Sequence, residues 1–385
     1  MAIQQQLRAA LAVLIIVFGF GCKEEKRPVV ALSKESISQI TYAKGFTINT
    51  YDNYTVIEVK SPWPGSEKTF TYALVPKEKL ATITLPADAF DAIVATPVEK
   101  IVLTSTTHIA PVEALDELEA IVGFPNTDFI SSPNARKLVN VGQIQDLGMN
   151  EKLNTEMTLV LNPELIVGFS ISEDNKAYHV IKTAGIPVVY NGEWVEQTPL
   201  GKAEWIKFFA PFFQKEKLGD SIFASIEGNY KKATELAKNA KTQPTVLTGG
   251  LYKDVWYVAG GQSWMAQFLK DANADYLWRD NNETGSIGLS LEAVLEKGKA
   301  ADFWFNPSAE TTYEELGNIN PHHKEFDAFV NKNVYSNAIE KGEKGGLIFY
   351  ESAPQRPDIV LKDLVHILHP ELLPDHQLQF IKPLQ

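Results

Sequence analysis

Cysteine is nearly absent from this sequence: of its 385 residues, only residue 22 is a cysteine. A lone cysteine cannot close a disulfide within the chain. Long apolar runs are also missing. The run from Ala9 to Phe20 falls short of the roughly 20 residues that a membrane-spanning helix needs, and no other segment has a membrane-spanning pattern. The sequence therefore excludes a disulfide framework and an integral membrane domain.

Positive charge is scarce as well. Lysine and arginine number 36 against 48 aspartate and glutamate residues, for a formal net charge of −12. This balance argues against nucleic-acid binding, which requires basic stripes on the surface. It does not exclude an anionic ligand, because a cleft can carry local positive charge on an acidic protein.

Catalytic motifs are missing too. The sequence has no Walker A loop and no G-x-G-x-x-G stretch, and the segment 261–265 lacks the final glycine of a nucleophile elbow. The histidines lack the spacing and the acidic or cysteine partners of a zinc site. We therefore expect no enzyme activity, no catalytic residue, no cofactor and no resident metal. Glu193 beside Trp194 leaves one enzymatic alternative, a surface glycan-active hydrolase.

The first notable feature that is present is the setting of Cys22. It follows Arg8, the short apolar run and the small residue Gly21, a pattern typical of a secretory signal that resembles the lipobox of bacterial lipoproteins. The resemblance implies removal of residues 1–21 and lipidation of Cys22, with the lipid chains holding the protein at a membrane. The alternative is an unmodified cysteine in an ordinary secretory signal.

An acidic tract, Lys23–Lys26, follows the cysteine. It resembles signals that send some lipoproteins to the outer face of the outer membrane, and it reads equally well as a solvated spacer. Both readings predict a lipid-anchored protein of the cell envelope, either facing the periplasm or exposed at the outer-membrane surface.

The periodicity of hydrophobic residues divides the rest of the chain into segments. Alternating residues predict two or three antiparallel strands, a β-hairpin region, between Ile37 and Val75. After Pro97, short apolar strands alternate with amphipathic stretches, as in βαβ units around a parallel sheet. We expect a tether at 22–36, a β-rich extension at 37–97, one α/β lobe at 98–197 and a second at 241–385.

The segment 198–240 separates the two α/β regions. Thr198 is a predicted helix N-cap, Pro199 suits the first turn, and apolar residues then recur with helical periodicity. We expect a helical connector of roughly 40 residues that backs both lobes, with Pro211 as the position where it can kink. The alternative is two ordinary helices packed within one lobe.

Four stretches, in this order and spacing, resemble the helical-backbone class of periplasmic binding proteins, which serve ABC importers of iron-siderophores, haem and cobalamin. They are IVLTSTTHIAPVEALDELEAIVGF, LNTEMTLVLNPELIVGF, TPLGKAEWIKFFAPFF and LSLEAVLEKGKAADFWFNP. The resemblance covers residues 98 to about 370. It implies two Rossmann-like lobes joined by a long backbone helix, with the β-hairpin region as an addition.

The resemblance also implies a site. The family binds its ligand between the lobes, on loops at the carboxyl ends of the strands, where open α/β sheets usually bind ligands. Those loops offer aromatic faces and cations suited to a flat, anionic chelate. The expected ligand-binding residues are Thr106, Thr107, His108, Phe169, Trp194, Tyr252, Lys253, Trp256, Trp264 and Arg356.

One glutamate in each lobe docks on the permease in this family, and by motif position these are Glu156 and Glu292. We therefore expect a monomeric solute-binding lipoprotein that captures an iron chelate, haem or cobalamin for an ABC permease. A surface lipoprotein that passes the ligand to an outer-membrane receptor is the alternative.

Overall fold

The structure, a computed structural model, describes residues 34–37, 39–86 and 88–385. The predicted signal peptide at 1–21, Cys22 and the tether before Lys34 lie outside these residues. Within the described residues, no helix has the length and apolar character needed to cross a membrane.

The first structural unit is a five-stranded sheet in the order β1-β2-β3-β4-β5. Its first four strands pair antiparallel, whereas β5 runs parallel to β4. This parallel crossover adds to the two or three antiparallel strands that the alternating sequence predicted, and β1 begins inside the segment predicted as a tether. The strands are β1 (Lys34–Ile37), β2 (Phe46–Tyr51), β3 (Thr55–Lys60), β4 (Thr69–Pro76) and β5 (Ala92–Thr96).

This N-terminal sheet packs against the α/β unit that follows it. Successive side chains of a strand point to opposite faces of the sheet, and the two faces pack in different clusters. Ile57 and Tyr72 belong to the same hydrophobic core as the following α/β unit. Val56 and Ala73, their neighbours in the chain, lie in a separate small cluster on the opposite face. One face of the sheet is therefore part of the core of the N-terminal half.

The N-terminal half is built on a parallel sheet in the order β12-β11-β6-β7-β8. The central strands are short apolar runs that are buried on both faces, as parallel strands between helices must be. Strands β9 (Gly148–Met149) and β10 (Lys152–Leu153) form a small separate hairpin. The other elements are β6 (Ile101–Leu103), α1 (Ile109–Ala114), β7 (Ile121–Phe124), α2 (Pro133–Asn140), β8 (Gln145–Asp146), α3 (Thr155–Leu161), β11 (Leu165–Gly168), α4 (Lys176–Thr183) and β12 (Val188–Tyr190).

The connector contains α5 (Pro199–Glu204), α6 (Ile206–Phe209) and α7 (Glu216–Ala237). The Thr198 side chain accepts a 3.0 Å hydrogen bond from the N–H of Gly201, which confirms the predicted N-cap. One continuous helix is not formed, however. A 3₁₀ turn carries Pro211 and ends at Gln214, whose φ of 56° is left-handed and stops the helix.

Helix α7 nevertheless extends along both halves. Its 22 residues span about 33 Å at 1.5 Å per residue. Phe223 and Ile226 lie in the core of the N-terminal half, whereas Tyr230 and Ala233 lie in the core of the C-terminal half. One helix therefore contributes to both hydrophobic cores.

The C-terminal half contains a second sheet in the order β16-β13-β18-β19-β20, parallel except for β20. A three-stranded antiparallel sheet, β14-β15-β17, lies beside it. The strands are β13 (Thr245–Thr248), β14 (Gly250–Tyr252), β15 (Val255–Ala259), β16 (Asp275–Tyr276), β17 (Ser286–Leu289), β18 (Phe303–Phe305), β19 (Val334–Ser336) and β20 (Lys382–Pro383), and the helices are α8 (Trp264–Asp271), α9 (Leu291–Gly298), α10 (Tyr313–Ile319), α11 (Asp327–Val330), α12 (Ile348–Ser352) and α13 (Pro357–Leu368). The mixed α/β class with parallel sheets is confirmed.

Candidate functional site

Both parallel sheets have a point where the strand order reverses. In the N-terminal half, β7 and β8 follow β6 on one side of it, and the chain then returns to place β11 on the other side. In the C-terminal half, β16 lies on one side of β13 and β18 lies on the other. Loops at the carboxyl ends of such neighbouring strands diverge and leave a crevice. The residues that follow these four strands line two cavities.

The larger, main cavity has a volume of about 700 Å³ and lies at the β13/β18 reversal, where Thr248 and Asn306 contribute to its wall. Both halves of the chain line it. Five aromatic side chains face it: Trp194 from the N-terminal half, and Tyr257, Trp264, Phe349 and Tyr350 from the C-terminal half.

The smaller, side cavity has a volume of about 430 Å³ and lies at the β6/β11 reversal, where Thr106 and Phe169 line it. Tyr350 lines both cavities. The Phe169 ring lies 5.4 Å from the Trp194 ring, between centroids. The two cavities are thus neighbouring parts of one aromatic cleft between the two halves.

Lys202 is the cation among the described residues in the wall of the main cavity. Its role could not be predicted from the sequence, because a lysine on an amphipathic helix usually faces solvent. Its side chain is 7% exposed. The ammonium donates to the carbonyl oxygens of Glu193 at 2.9 Å and Trp194 at 3.1 Å, and it lies 5.4 Å from the centre of the Trp264 ring. Burial lowers the pKa of Lys202, against the effect of Glu193 and Glu196.

A buried carboxylate joins the two halves beside the side cavity. The Glu351 oxygens accept hydrogen bonds of 2.6 Å from the backbone N–H groups of Ser131 and Ser132, which directly precede helix α2. Burial raises the pKa of Glu351 to about 7 against the effect of these bonds, and nearby Glu113 raises it further.

The segment that precedes Glu351 lies close against the N-terminal half. A Cβ atom at Gly346 would stand 2.3 Å from the Phe129 carbonyl oxygen, and one at Gly342 would stand 2.7 Å from the Ser131 Cα atom. Only glycine allows the two backbones to approach this closely. The segment 340–352 therefore closes one side of the cleft.

Four of the ten predicted ligand-binding residues line the cavities: Thr106, Phe169, Trp194 and Trp264. Thr107 is half-buried and its hydroxyl lies 2.8 Å from that of Ser105.

The remaining five predicted residues are placed elsewhere. His108 is buried in the core against Phe209, at 5.5 Å between ring centroids, and burial lowers its pKa to about 3. Trp256 is fully buried and packs on Trp304 at 5.2 Å. These two side chains fill cores instead of facing the cleft.

Tyr252 and Lys253 are exposed at the tip of the β14–β15 hairpin, outside the walls of both cavities. Arg356 donates to the two carboxylate oxygens of Asp358 at 2.9 and 3.0 Å. The structure thus places the predicted ligand cations away from the cleft and engages Arg356 in an intramolecular ion pair.

The two predicted docking glutamates occupy matching positions. Glu156 is exposed in the first turn of α3, after the N-cap Asn154. Glu292 is exposed in the first turn of α9, after the N-cap Ser290. Each helix leads into a central strand of its parallel sheet, β11 and β18 respectively. Hydrogen bonds at the helix start lower the pKa of Glu292.

No cluster of three or more histidine, cysteine or acidic side chains suited to a metal ion occurs among the described residues. The carboxylate of Glu193, the residue behind the hydrolase alternative, is buried and lies 3.8 Å from the Lys202 ammonium.

A sequence model of the family described as periplasmic binding protein matches residues 101–337, which is more than half of the chain. The chain belongs to the periplasmic binding protein family. This confirms the family resemblance. An uncharacterized lipoprotein of Methanocaldococcus jannaschii is 26% identical over 96% of this chain and 94% of its own length.

Solved structures of periplasmic binding proteins share the fold. One from Veillonella parvula superposes with a TM-score of 0.59 at 18% identity and covers 92% of this chain and 100% of its own. A periplasmic haem-binding protein of Vibrio cholerae gives a TM-score of 0.56 at 17% identity, over 71% of this chain and 100% of its own. The first likeness reaches into the N-terminal sheet, because residues 98–385 make up only about three quarters of the chain.

Proposed function

We propose that this periplasmic binding protein is a lipid-anchored solute receptor that captures an iron chelate, haem or cobalamin in the cleft between two α/β lobes and delivers it to an ABC importer. The observation that carries the proposal is the main cavity. Its volume of about 700 Å³ is within the range of small-molecule sites, and its aromatic walls come from both halves of the chain.

The aromatic lining favours a flat, extended ligand. Trp194 and Trp264 offer ring faces on which a macrocycle or a catecholate can stack. The Lys202 ammonium near Trp264 gives that part of the wall a positive charge without exposing the amine. Similarity to haem-binding proteins of the same fold supports this ligand class.

Helix α7, which contributes to both hydrophobic cores, supports a helical-backbone connection between the lobes. In this arrangement the lobes move little around a rigid helix, and the Glu351 contact with Ser131 and Ser132 closes one side of the cleft. Glu156 and Glu292 then present one carboxylate from each lobe to matching basic groups of a two-fold permease.

The envelope location rests on Cys22 and on the lipoprotein relative from Methanocaldococcus jannaschii. A lipid-anchored Cys22 would keep the receptor at the membrane that holds its importer. Labelling cells with a palmitate analogue should mark the wild-type protein and leave the Cys22→Ser variant unlabelled; equal label on both proteins would remove the anchor from the proposal.

The absorbance spectrum of protein purified from its own cells tests the ligand class. Haem, cobalamin and ferric catecholates absorb visible light with different spectra, so a co-purified ligand identifies itself. We expect a visible chromophore at up to one per chain that dissociates on denaturation. A colourless protein that also fails to bind any of these chelates when they are added would contradict the proposal.

A further inference from the structure

A third cavity, of about 400 Å³, lies between the N-terminal sheet and the start of the connector. We call it the N-terminal cavity. The segment just before β2, the last residue of β3 and the loop after β3 supply most of its wall. That part of the chain precedes the region matched by the family model, which begins at residue 101. The residues around it are Tyr42, Lys44, Gly45, Lys60, Ser61, Trp63, Pro64, Gly65, Ser66, Val195, Glu196, Gln197 and Thr198.

The N-terminal cavity adjoins the main cavity. The four residues Pro64, Val195, Glu196 and Gln197 line both. A ligand in the main cavity can therefore extend one substituent over this shared wall. The N-terminal sheet, which the sequence left without a function, contributes directly to the ligand-binding cleft through Pro64.

The loop that carries Pro64 is well defined. Its Pro64-Gly65 pair forms a tight turn in which the N–H of Ser66 donates to the Trp63 carbonyl oxygen at 3.1 Å, and the φ of 77° at Gly65 suits the third position of such a turn. The Trp194 indole N–H donates to the Pro62 carbonyl oxygen at 3.1 Å. The turn and an aromatic wall of the main cavity are thus held together.

Two buried carboxylates hold the other side of the N-terminal cavity. Glu204 accepts hydrogen bonds from the backbone N–H groups of residues 41–43 at 2.7 to 3.1 Å. Glu196 accepts from the N–H groups of Lys44 and Gly45, both at 2.8 Å, and from the Trp205 indole at 3.2 Å. These bonds place residues 41–45 against the connector and engage Glu196, the only acidic side chain among the wall residues that the structure describes.

Positive charge is concentrated here. Lys44 and Lys60 both line the N-terminal cavity and are exposed, and within the described part of the chain neither amine forms an ion pair. Among the described residues in the walls of the main and side cavities, by contrast, the one cation is Lys202, whose ammonium donates to two backbone carbonyls. Among the described residues that line the three cavities, the cations without an ion pair or a carbonyl partner are therefore Lys44 and Lys60, beyond the shared wall.

We propose that the N-terminal cavity is a second compartment of the binding site, in which Lys44 and Lys60 take an anionic substituent, a carboxylate or a phosphate, of the ligand whose body stacks in the main cavity. This inference rests on the proposed function. It follows that the N-terminal sheet selects among chelates by their charged periphery, while the aromatic cleft binds the ring system.

Two matched pairs of probes test the compartment. Haemin carries two carboxylates that its dimethyl ester lacks, and cyanocobalamin carries a phosphodiester that dicyanocobinamide lacks. Calorimetry gives the dissociation constant of each probe for wild-type protein and for the Lys44→Gln/Lys60→Gln variant. We expect the variant to bind the member of one pair that carries the anionic group about tenfold more weakly, with unchanged affinity for the member that lacks this group.

A Lys68→Gln/Lys79→Gln variant is the control, because it removes two charges that flank strand β4 of the same sheet and lie outside the three cavities. Lys68 pairs with Glu173 and Lys79 with the Asp52 carbonyl oxygen. This control should bind all four probes like the wild type. A weaker affinity for haemin alone of its pair identifies the bound group as a carboxylate, and a weaker affinity for cyanocobalamin alone of its pair identifies it as a phosphate. An equal effect on both members of a pair, or no effect, would overturn the compartment.

If wild-type protein binds none of the four probes and no ferric catecholate, the proposed function fails on its own. Inorganic pyrophosphate then tests the compartment separately. Binding by wild type that is lost in the Lys44→Gln/Lys60→Gln variant and kept in the control would support an anion site, whereas absent or unchanged binding would overturn it.

Discussion

Glu351 and Ser131 lie 220 positions apart in the chain, yet a backbone N–H of one half donates to a buried carboxylate of the other over 2.6 Å. Burial raises the pKa of Glu351 from an ordinary 4.5 to about 7. The folded protein therefore takes up a proton that the unfolded chain binds less tightly. The resulting stability is fully present below about pH 4.5 and is lost as the pH rises through about 7.

Glu351→Gln, which cannot ionise, should remove this dependence. We expect wild type to lose about 2 to 3 kcal/mol of unfolding free energy relative to the variant between pH 5 and pH 8. Denaturant unfolding at several pH values measures the difference. The exposed Glu343→Gln substitution in the same segment is the control. Parallel curves for wild type and Glu351→Gln would show that Glu351 has no raised pKa.

His108 should behave as a core residue. Burial lowers its pKa to about 3 from an ordinary 6.5, so its contribution to stability is present above about pH 6.5 and is lost as the pH falls towards 3. His108→Leu should lose less stability than wild type between pH 6.5 and pH 4, with ligand affinity unchanged. A folded variant that no longer binds the chelate would instead make His108 a ligand.

Arg356 should affect stability more than binding. Its bidentate partner Asp358 has a side chain that is 1% exposed, while the arginine is 44% exposed. Arg356→Ala leaves that buried carboxylate with one weak bond, of 3.4 Å from Asn229. We expect a loss of about 1 to 3 kcal/mol in unfolding free energy, reduced from the buried-pair range by solvent screening, and unchanged ligand affinity.

The double variant Arg356→Ala/Asp358→Asn is the matched control for this pair. It removes the buried charge together with its partner, so it should regain part of the lost stability. Weaker ligand binding by Arg356→Ala, without any change in unfolding free energy, would place the arginine in the binding site.

Glu156→Lys with Glu292→Lys should abolish ligand delivery and leave ligand affinity intact. Both carboxylates are exposed in first helical turns, and charges at the edge of an interface mainly govern association rate and orientation. Reversing them sets like charges against a basic permease surface. An uptake assay in cells, with melting curves for the purified protein, measures the effect.

Glu216→Lys with Glu314→Lys makes the same charge change in the first turns of two other helices, α7 and α10, and should support normal uptake. Uptake at the wild-type rate by the Glu156→Lys/Glu292→Lys protein would contradict permease docking. It would favour the alternative in which the protein passes its ligand to an outer-membrane receptor.

The strands of the parallel sheets could be predicted from the sequence because buried strands are short, continuous apolar runs. Ile101–Leu103, Val188–Tyr190 and Phe303–Phe305 are strands in the structure. The connector could be predicted only in part. Helical periodicity continues across Gln214, and the left-handed φ there depends on packing that no local pattern reveals.

The site was harder to predict because neighbouring side chains on a strand point to opposite faces. On β15 the aromatic pair Trp256 and Tyr257 illustrates this: the tryptophan is buried in the core and the tyrosine lines the main cavity. Residue type alone favoured Trp256 as the ligand-binding residue, whereas the register of the sheet decides which of the two side chains faces the cavity. The register in turn depends on the pairing of β15 with β17, a contact between distant parts of the chain.

The proposed function requires the aromatic cleft to bind a metal chelate. Calorimetric titration of wild-type protein with haemin, cyanocobalamin and a ferric catecholate tests it most directly, beside the Trp194→Ala/Trp264→Ala variant and a Tyr252→Ala control outside the cavities. We predict one-to-one binding of at least one chelate, weakened tenfold or more in the double tryptophan variant and unchanged in the control. No saturable binding of any chelate, or equal affinity in all three proteins, would rule out chelate binding in the aromatic cleft.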